Sequence, residues 1–151
     1  MLDRFERFSI FISEISRCWH KIASDEMEKY GLKGPYAVYL TTMYRYPEGI
    51  TAAKLAEQCS RDKADVSRAV SVMESKGLIA KESAGRNMYR AMLKLTPMGR
   101  TAAEHVNERA CLAVELGGRG ISEEDRAVLY ECLGQITANL RILSEEGMPQ
   151  A

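Results

Sequence analysis

Between Thr51 and Gly77 apolar residues recur at helical steps and the pattern breaks once, at Ser60–Arg61. Leu55, Ala56 and Cys59 share one face of a first helix. Val66, Ala69, Val70 and Met73 share one face of a second. Thr51 and Asp62 stand where an N-cap acceptor is needed, and Lys76–Gly77 closes the second helix, because glycine tolerates the left-handed conformation that ends helices. The other side of the second helix is polar and cationic, with Lys63, Ala64, Ser67, Arg68 and Ser71. Two helices joined by so short a turn, with such a front on the second, predict a helix-turn-helix.

The flanking patterns are equally regular. Phe5, Phe8, Ile12, Ile15, Trp19 and Ile22 step alternately by three and four, which predicts a helix from residue 4 to about 29 with a seam for another helix. Gly31 and Gly34 break it. Pro35 suits the first turn of a second helix carrying Tyr36, Tyr39, Leu40 and Met43, and Pro47–Gly49 ends that helix. After Gly77, a strand over 78–82, a polar turn over 83–88 and a strand over 89–95 predict a hairpin. Thr96–Pro97 then opens a helix that stops at Gly117–Gly118. Ser122 and Asp125 resemble a capping box for a last helix, on which Val128, Leu129, Cys132, Leu133, Ile136, Leu140 and Leu143 form a broad stripe. The expected fold is mostly α with a small β-hairpin wing. It divides into an N-terminal dimerisation helix (1–34), a winged helix-turn-helix (35–99) and C-terminal dimerisation helices (100–151).

The ordered set Leu55–Ala56, Val66–Ser67–Arg68, Gly77–Leu78–Ile79 and Leu95–Thr96 with Gly99 resembles the winged-helix core of the MarR family of bacterial transcriptional regulators. The order of flanking elements extends the resemblance to nearly the whole chain. It implies terminal helices that interlock into a two-fold homodimer. Such a dimer would set two reading helices about one turn of DNA apart, matching a palindromic operator in double-stranded DNA.

Composition adds bounds. The chain has 151 residues, 46% hydrophobic and 28% charged, as in an ordinary soluble protein. No apolar run approaches a membrane span and no secretory leader is evident, so a cytoplasmic location is expected. Cys18, Cys59, Cys111 and Cys132 form no CxxC pair and no Cys/His ligand spacing, so reduced thiols are expected, with no metal or cofactor. Cys59 and Cys132, at apolar helical positions, read as inert core residues. Net charge is zero, but residues 61–100 carry nine Lys/Arg against four Asp/Glu, while residues 121–151 carry two against six. Positive charge is therefore concentrated where a phosphate-facing surface needs it.

Candidate chemistry follows from this layout. Arg68 can fork onto a guanine edge or a phosphate, Lys63 can neutralise a phosphate, and Ser67 can bond to either. Ala64 is small enough to touch a thymine methyl, and Ser71 sits one turn further along the same front. Asp65 either accepts from a cytosine amino group or complements the helix dipole. The resemblance implies a wing with an Asp, a variable residue and an Arg that enters the minor groove. Asn87 and Tyr89 occupy those places here, so the groove role passes to Arg86 or Arg90. An alternative for Arg90 is a pair with Glu82 across the hairpin.

The resemblance also implies a cleft for a small aromatic or phenolic effector, for which Arg17, Trp19, His20, Tyr36, Tyr39 and Met43 are candidates, with core packing as the competing reading. Peroxide-sensing relatives carry a thiol at a place that falls near Ser9, so redox sensing would have to use Cys18, activated by Arg17 or His20. The P-loop, GxGxxG, GxSxG and HExxH patterns are absent and no enzyme is expected. The reading is a homodimeric repressor released by an effector. The alternatives are a thiol-based redox regulator and an architectural or protein-binding winged helix.

Overall fold

The computed structural model describes residues 2–83 and 91–149. Its elements are α1 (Leu2–Glu28), a 3-10 turn (Gly34–Tyr36), α2 (Ala37–Tyr44), β1 (Ile50–Thr51), α3 (Ala52–Cys59), α4 (Lys63–Ser75), β2 (Ile79–Glu82), β3 (Met92–Leu95), α5 (Pro97–Gly117) and α6 (Glu123–Glu146). The fold is a winged helix with long helices at either end. Contacts divide it into two compact units, Met1–Cys111 and Leu112–Ala151.

In the first unit the caps form where the side chains allow them. Thr51 accepts the Lys54 N–H at 3.2 Å and Asp62 accepts the Asp65 N–H at 2.7 Å. The α3–α4 turn is closed by the Arg61 N–H on the Ala56 carbonyl, with Ser60 at φ +50, a left-handed position that an L side chain occupies at a cost. α4 ends in a full Schellman motif. Leu78 N–H bonds to the Met73 carbonyl and Gly77 N–H to that of Glu74, with Gly77 at φ +71.

The hairpin expectation needs one correction. The sheet has three strands in the order β1-β3-β2, because Ile50 and Thr51 pair antiparallel with Leu93 and Met92. Two residues carry no readable period, so this strand exists only through its partner. In the hairpin Ile79 faces Leu95 and Lys81 faces Leu93. The second helix also starts later than Pro35 suggests, since residues 34–36 form the 3-10 turn and the α-helix begins at Ala37.

The core of this unit is the set of predicted helix faces brought together. Leu40, Met43, Leu55, Val66, Ala69 and Met73 are all at most 1% exposed, with Ile50, Leu78, Ile79 and Leu93 supplied by the sheet and its approach. α1 joins this core through Met27 at its C-terminal end, while its seam residues Phe5, Phe8, Ile12, Ile15, Trp19 and Ile22 are exposed.

In the second unit Ser122 caps α6 on the Asp125 N–H. Arg126 bonds to Glu115 at 2.9 Å and to the Gly118 carbonyl at 3.0 Å. No residue of α6 is buried. Cys132 is therefore exposed, contrary to the core placement its apolar neighbours suggest. Cys59 is half-buried, with its sulfur 3.5 Å from Thr42 Oγ1. Among the described residues no helix is long and apolar enough to cross a membrane, and no cluster of His, Cys, Asp and Glu could hold a metal ion.

Candidate nucleic-acid interface

α4 is pinned by its apolar face and free on the other. Val66, Ala69, Val70 and Met73 are buried, whereas Lys63, Ala64, Ser67, Arg68 and Ser71 are exposed. The periodicity that buries one set presents the other in a single row. Beside this row, α4 and the wing strands enclose a concavity of about 230 Å³, edged by Lys63, Ser67, Lys81 and Ser83 over a floor of Val70 and Leu93. Two ammonium groups and two hydroxyls around an apolar floor suit a sugar-phosphate strand, whose charged oxygens need donors and whose sugar needs apolar contact. Lys81 and Ser83 carry no helical signal, and only the antiparallel register of β2 sets them next to α4.

Both described wing lysines are paired. Lys81 pairs with Glu74 at 3.2 Å and Lys94 with Glu82 at 2.9 Å. Glu82 thus has Lys94 as a partner. Arg86 and Arg90, with Asn87 and Tyr89 at the family's Asp and Arg places, lie outside the described residues.

On α4 itself, Arg68 Nη2 donates to Asp65 Oδ1 one turn away. The Asp65 carboxylate beside it raises the affinity of Arg68 for its proton. The expectation that Asp65 meets either a base or the helix dipole omits this partner, which the i, i+3 spacing makes available.

The candidate effector residues are not brought together. A second cavity of about 200 Å³ lies between α1, α2 and the first part of α5, and Trp19 is the one candidate among its lining residues. Met43 and Tyr39 are buried in the core at 1% and 3% exposure, and burial raises the Tyr39 phenol. Tyr36 packs against Tyr39 with ring centres 6.2 Å apart. His20 Nδ1 faces Ser16 Oγ at 3.2 Å on exposed α1, and Arg17 is held by Glu14, which Arg17 in turn keeps below the usual carboxylate range. Cys18 is exposed, with its sulfur 3.8 Å from a Glu14 carboxylate oxygen and 3.7 Å from Arg17.

Sequence reasoning missed the polar residues of this cavity, Glu26, Thr41 and Arg109. Glu26 accepts from Lys29 at 2.7 Å and from Arg109 at 3.2 Å, and faces His105 Nε2 at 3.2 Å. The Lys29 ammonium foremost, with Arg109 and His105, holds this carboxyl below its ordinary value against partial burial. The bonds cross 79 and 83 residues of sequence, so no local spacing announces them. Because the folded-state pKa is lowered, the pairs stabilise the fold above the ordinary carboxylate pKa. That stability is lost as pH falls through the folded value. A Glu26→Gln variant is expected to be about 1 kcal/mol less stable near neutral pH and to show a flatter fall in Tm on acidification. Equal melting curves for both proteins from about pH 7 to about pH 3.5 would contradict this.

Residues 30–87 match the model of the MarR family. The matched segment spans α2 through β2. No curated protein sequence matches it. Among solved structures, this chain is similar to a complex of S. aureus MepR with DNA, at 20% identity over 88% of this chain and 97% of that one, with a TM-score of 0.79. It is also similar to a Listeria monocytogenes protein complexed with 26mer DNA and described as a MarR-family transcriptional regulator (22% identity, 93% and 95% covered, TM-score 0.78). A third is a MarR transcriptional regulator from Methanosarcina mazei Go1 (21% identity, 91% and 92% covered, TM-score 0.75). At such identities the likeness establishes a shared fold.

Proposed function

We propose that the chain is a sequence-specific, double-stranded-DNA-binding transcriptional regulator, acting in the cytoplasm as a homodimeric repressor. The observation that carries this reading is the exposed row Lys63, Ala64, Ser67, Arg68 and Ser71 on a helix whose opposite face is locked into the core, with Lys81 at its flank. A rigid helix with such a row is what a major groove admits, and the concavity beside it suits the adjacent phosphate strand. Asp65 belongs to the same surface, and Arg86 or Arg90 is assigned the minor groove. The solved relatives bound to DNA support the docking mode by fold.

The exposed apolar seam of α1 and the stripe of α6 supply the dimer surface, since apolar patches of this extent are rarely left to water. The cavity at Trp19, with Arg109 at its edge, is the place for a small aromatic or phenolic effector. An effector would release DNA only to the extent that it binds a conformer whose half-site spacing no longer fits the operator.

Selection from a random duplex pool tests the reading. Enrichment of one palindrome with half-sites about 10 bp apart is expected, and no enrichment would overturn it. On the selected palindrome Arg68→Ala should lose roughly 1–3 kcal/mol per reading helix and relax the preference at one base pair. Lys63→Ala should instead weaken all sequences alike and flatten the salt dependence. Wild-type binding by both variants would remove α4 from the interface.

A further inference from the structure

A carboxylate at the edge of a surface meant for DNA is an anomaly, because it repels the phosphates that supply most of the attraction. Asp65 is half-exposed at the margin of the exposed α4 row, one turn from Arg68. Its backbone N–H is held by the Asp62 side chain, which is the cap of α4. The observed partner of the Asp65 carboxylate is the Arg68 guanidinium. The pair is exposed on both sides, at 68% and 43%, where an ion pair adds little to stability. Its consequence lies in what Arg68 can bind.

Paired with Asp65, Arg68 presents a locally neutral group to the DNA. To grip a phosphate it must either leave the carboxylate or carry that carboxylate towards a second anion. A guanine edge makes no such demand. Its O6 and N7 are uncharged acceptors, and a guanidinium has donors enough to keep one on Asp65 while forking others onto the base. The same carboxylate thus penalises phosphate contact and tolerates base contact. Lys63, which edges the concavity beside α4, remains to hold the backbone.

We propose that Asp65 is a specificity-determining residue that holds Arg68 off the phosphates and orients it towards a guanine edge, at a cost in overall affinity. This rests on the DNA-binding reading given above. Discrimination achieved by penalising the wrong contact is a known route to specificity.

The test compares wild type, Asp65→Ala, Arg68→Ala and the double variant on the selected palindrome and on a random-sequence duplex across a salt series. Asp65→Ala is expected to bind random duplex about three- to tenfold more tightly, as one freed cation per reading helix allows. Its salt slope should steepen by about 0.9 for each added phosphate contact. Repeated selection with this variant should return a degenerate base at one position of each half-site. The double variant should gain none of the extra random-DNA affinity beyond Arg68→Ala. Unchanged or weaker random-DNA binding by Asp65→Ala would overturn the proposal, as would an equal gain in the double variant, which would mark a general charge effect. In either case the wild-type palindrome would leave the DNA-binding reading standing. A wild type that selects no duplex would overturn both.

Discussion

Replacing Gly99 with alanine is expected to destabilise the fold by at least about 3 kcal/mol, at the upper end of overpacking costs. Gly99 lies in the first turn of α5, buried against the chain that leaves α4. A Cβ built there would sit 1.7 Å from the Leu78 carbonyl oxygen and 2.7 Å from its carbon. Neither atom belongs to a side chain that could turn away. Leu78 is held by its own N–H on Met73, its carbonyl accepts the Thr96 N–H, and the Thr96 hydroxyl donates to the Gly77 carbonyl at 2.6 Å. The three segments meet through these bonds, and a methyl group between them would break several at once. The expected fall in Tm is about 10 °C for a chain of this size. Gly117→Ala is the control, since nothing lies within 4 Å of a Cβ at that position. Equal melting temperatures for Gly99→Ala and wild type would show that this packing is not as tight as it is drawn.

The second large effect concerns assembly. A double variant Ile12→Glu, Ile15→Glu is expected to turn the proposed dimer into a monomer and to weaken palindrome binding by about 100-fold or more, because the second half-site then gains nothing from the first. Ile12 and Ile15 are 42% and 65% exposed in the single chain, so carboxylates there should leave its own core undisturbed. Far-UV circular dichroism should stay near wild type while the sedimentation mass halves. A wild type that sediments as a monomer, or a double variant that stays dimeric, would rule out the α1 seam as the interface.

Much of the reading helix was legible because its information is local. Asp62, Val66, Ala69, Val70 and Met73 sit at helical spacing, so cap, buried face and exposed row follow from one period. The wing was legible as a hairpin, and its third strand was not, because Ile50–Thr51 gains order from Leu93 and Met92 some 40 residues on. The placement of the effector candidates was not legible for a related reason. Tyr39 and Met43 lie on a face with the same apolar spacing whether it lines a cavity or fills a core, and only the packing of α2 on α3 and α4 assigned them to the core.

The sequence by itself determined the order of the helices, the caps of α3 and α4, the buried and exposed faces of α4, and the resemblance to winged-helix regulators, since each depends on neighbours within a turn or two of backbone. Tertiary structure alone decided that Lys81 and Ser83 stand beside α4, that Glu26 meets His105 and Arg109, and that Gly99 admits the Leu78 carbonyl. These contacts rest on long-range packing, and a period of two or 3.6 carries no record of it. Asp65 stands between the two cases. Its partner Arg68 lies one turn away and was within reach of the spacing rule, but the choice among base, dipole and guanidinium was made by where the side chains point.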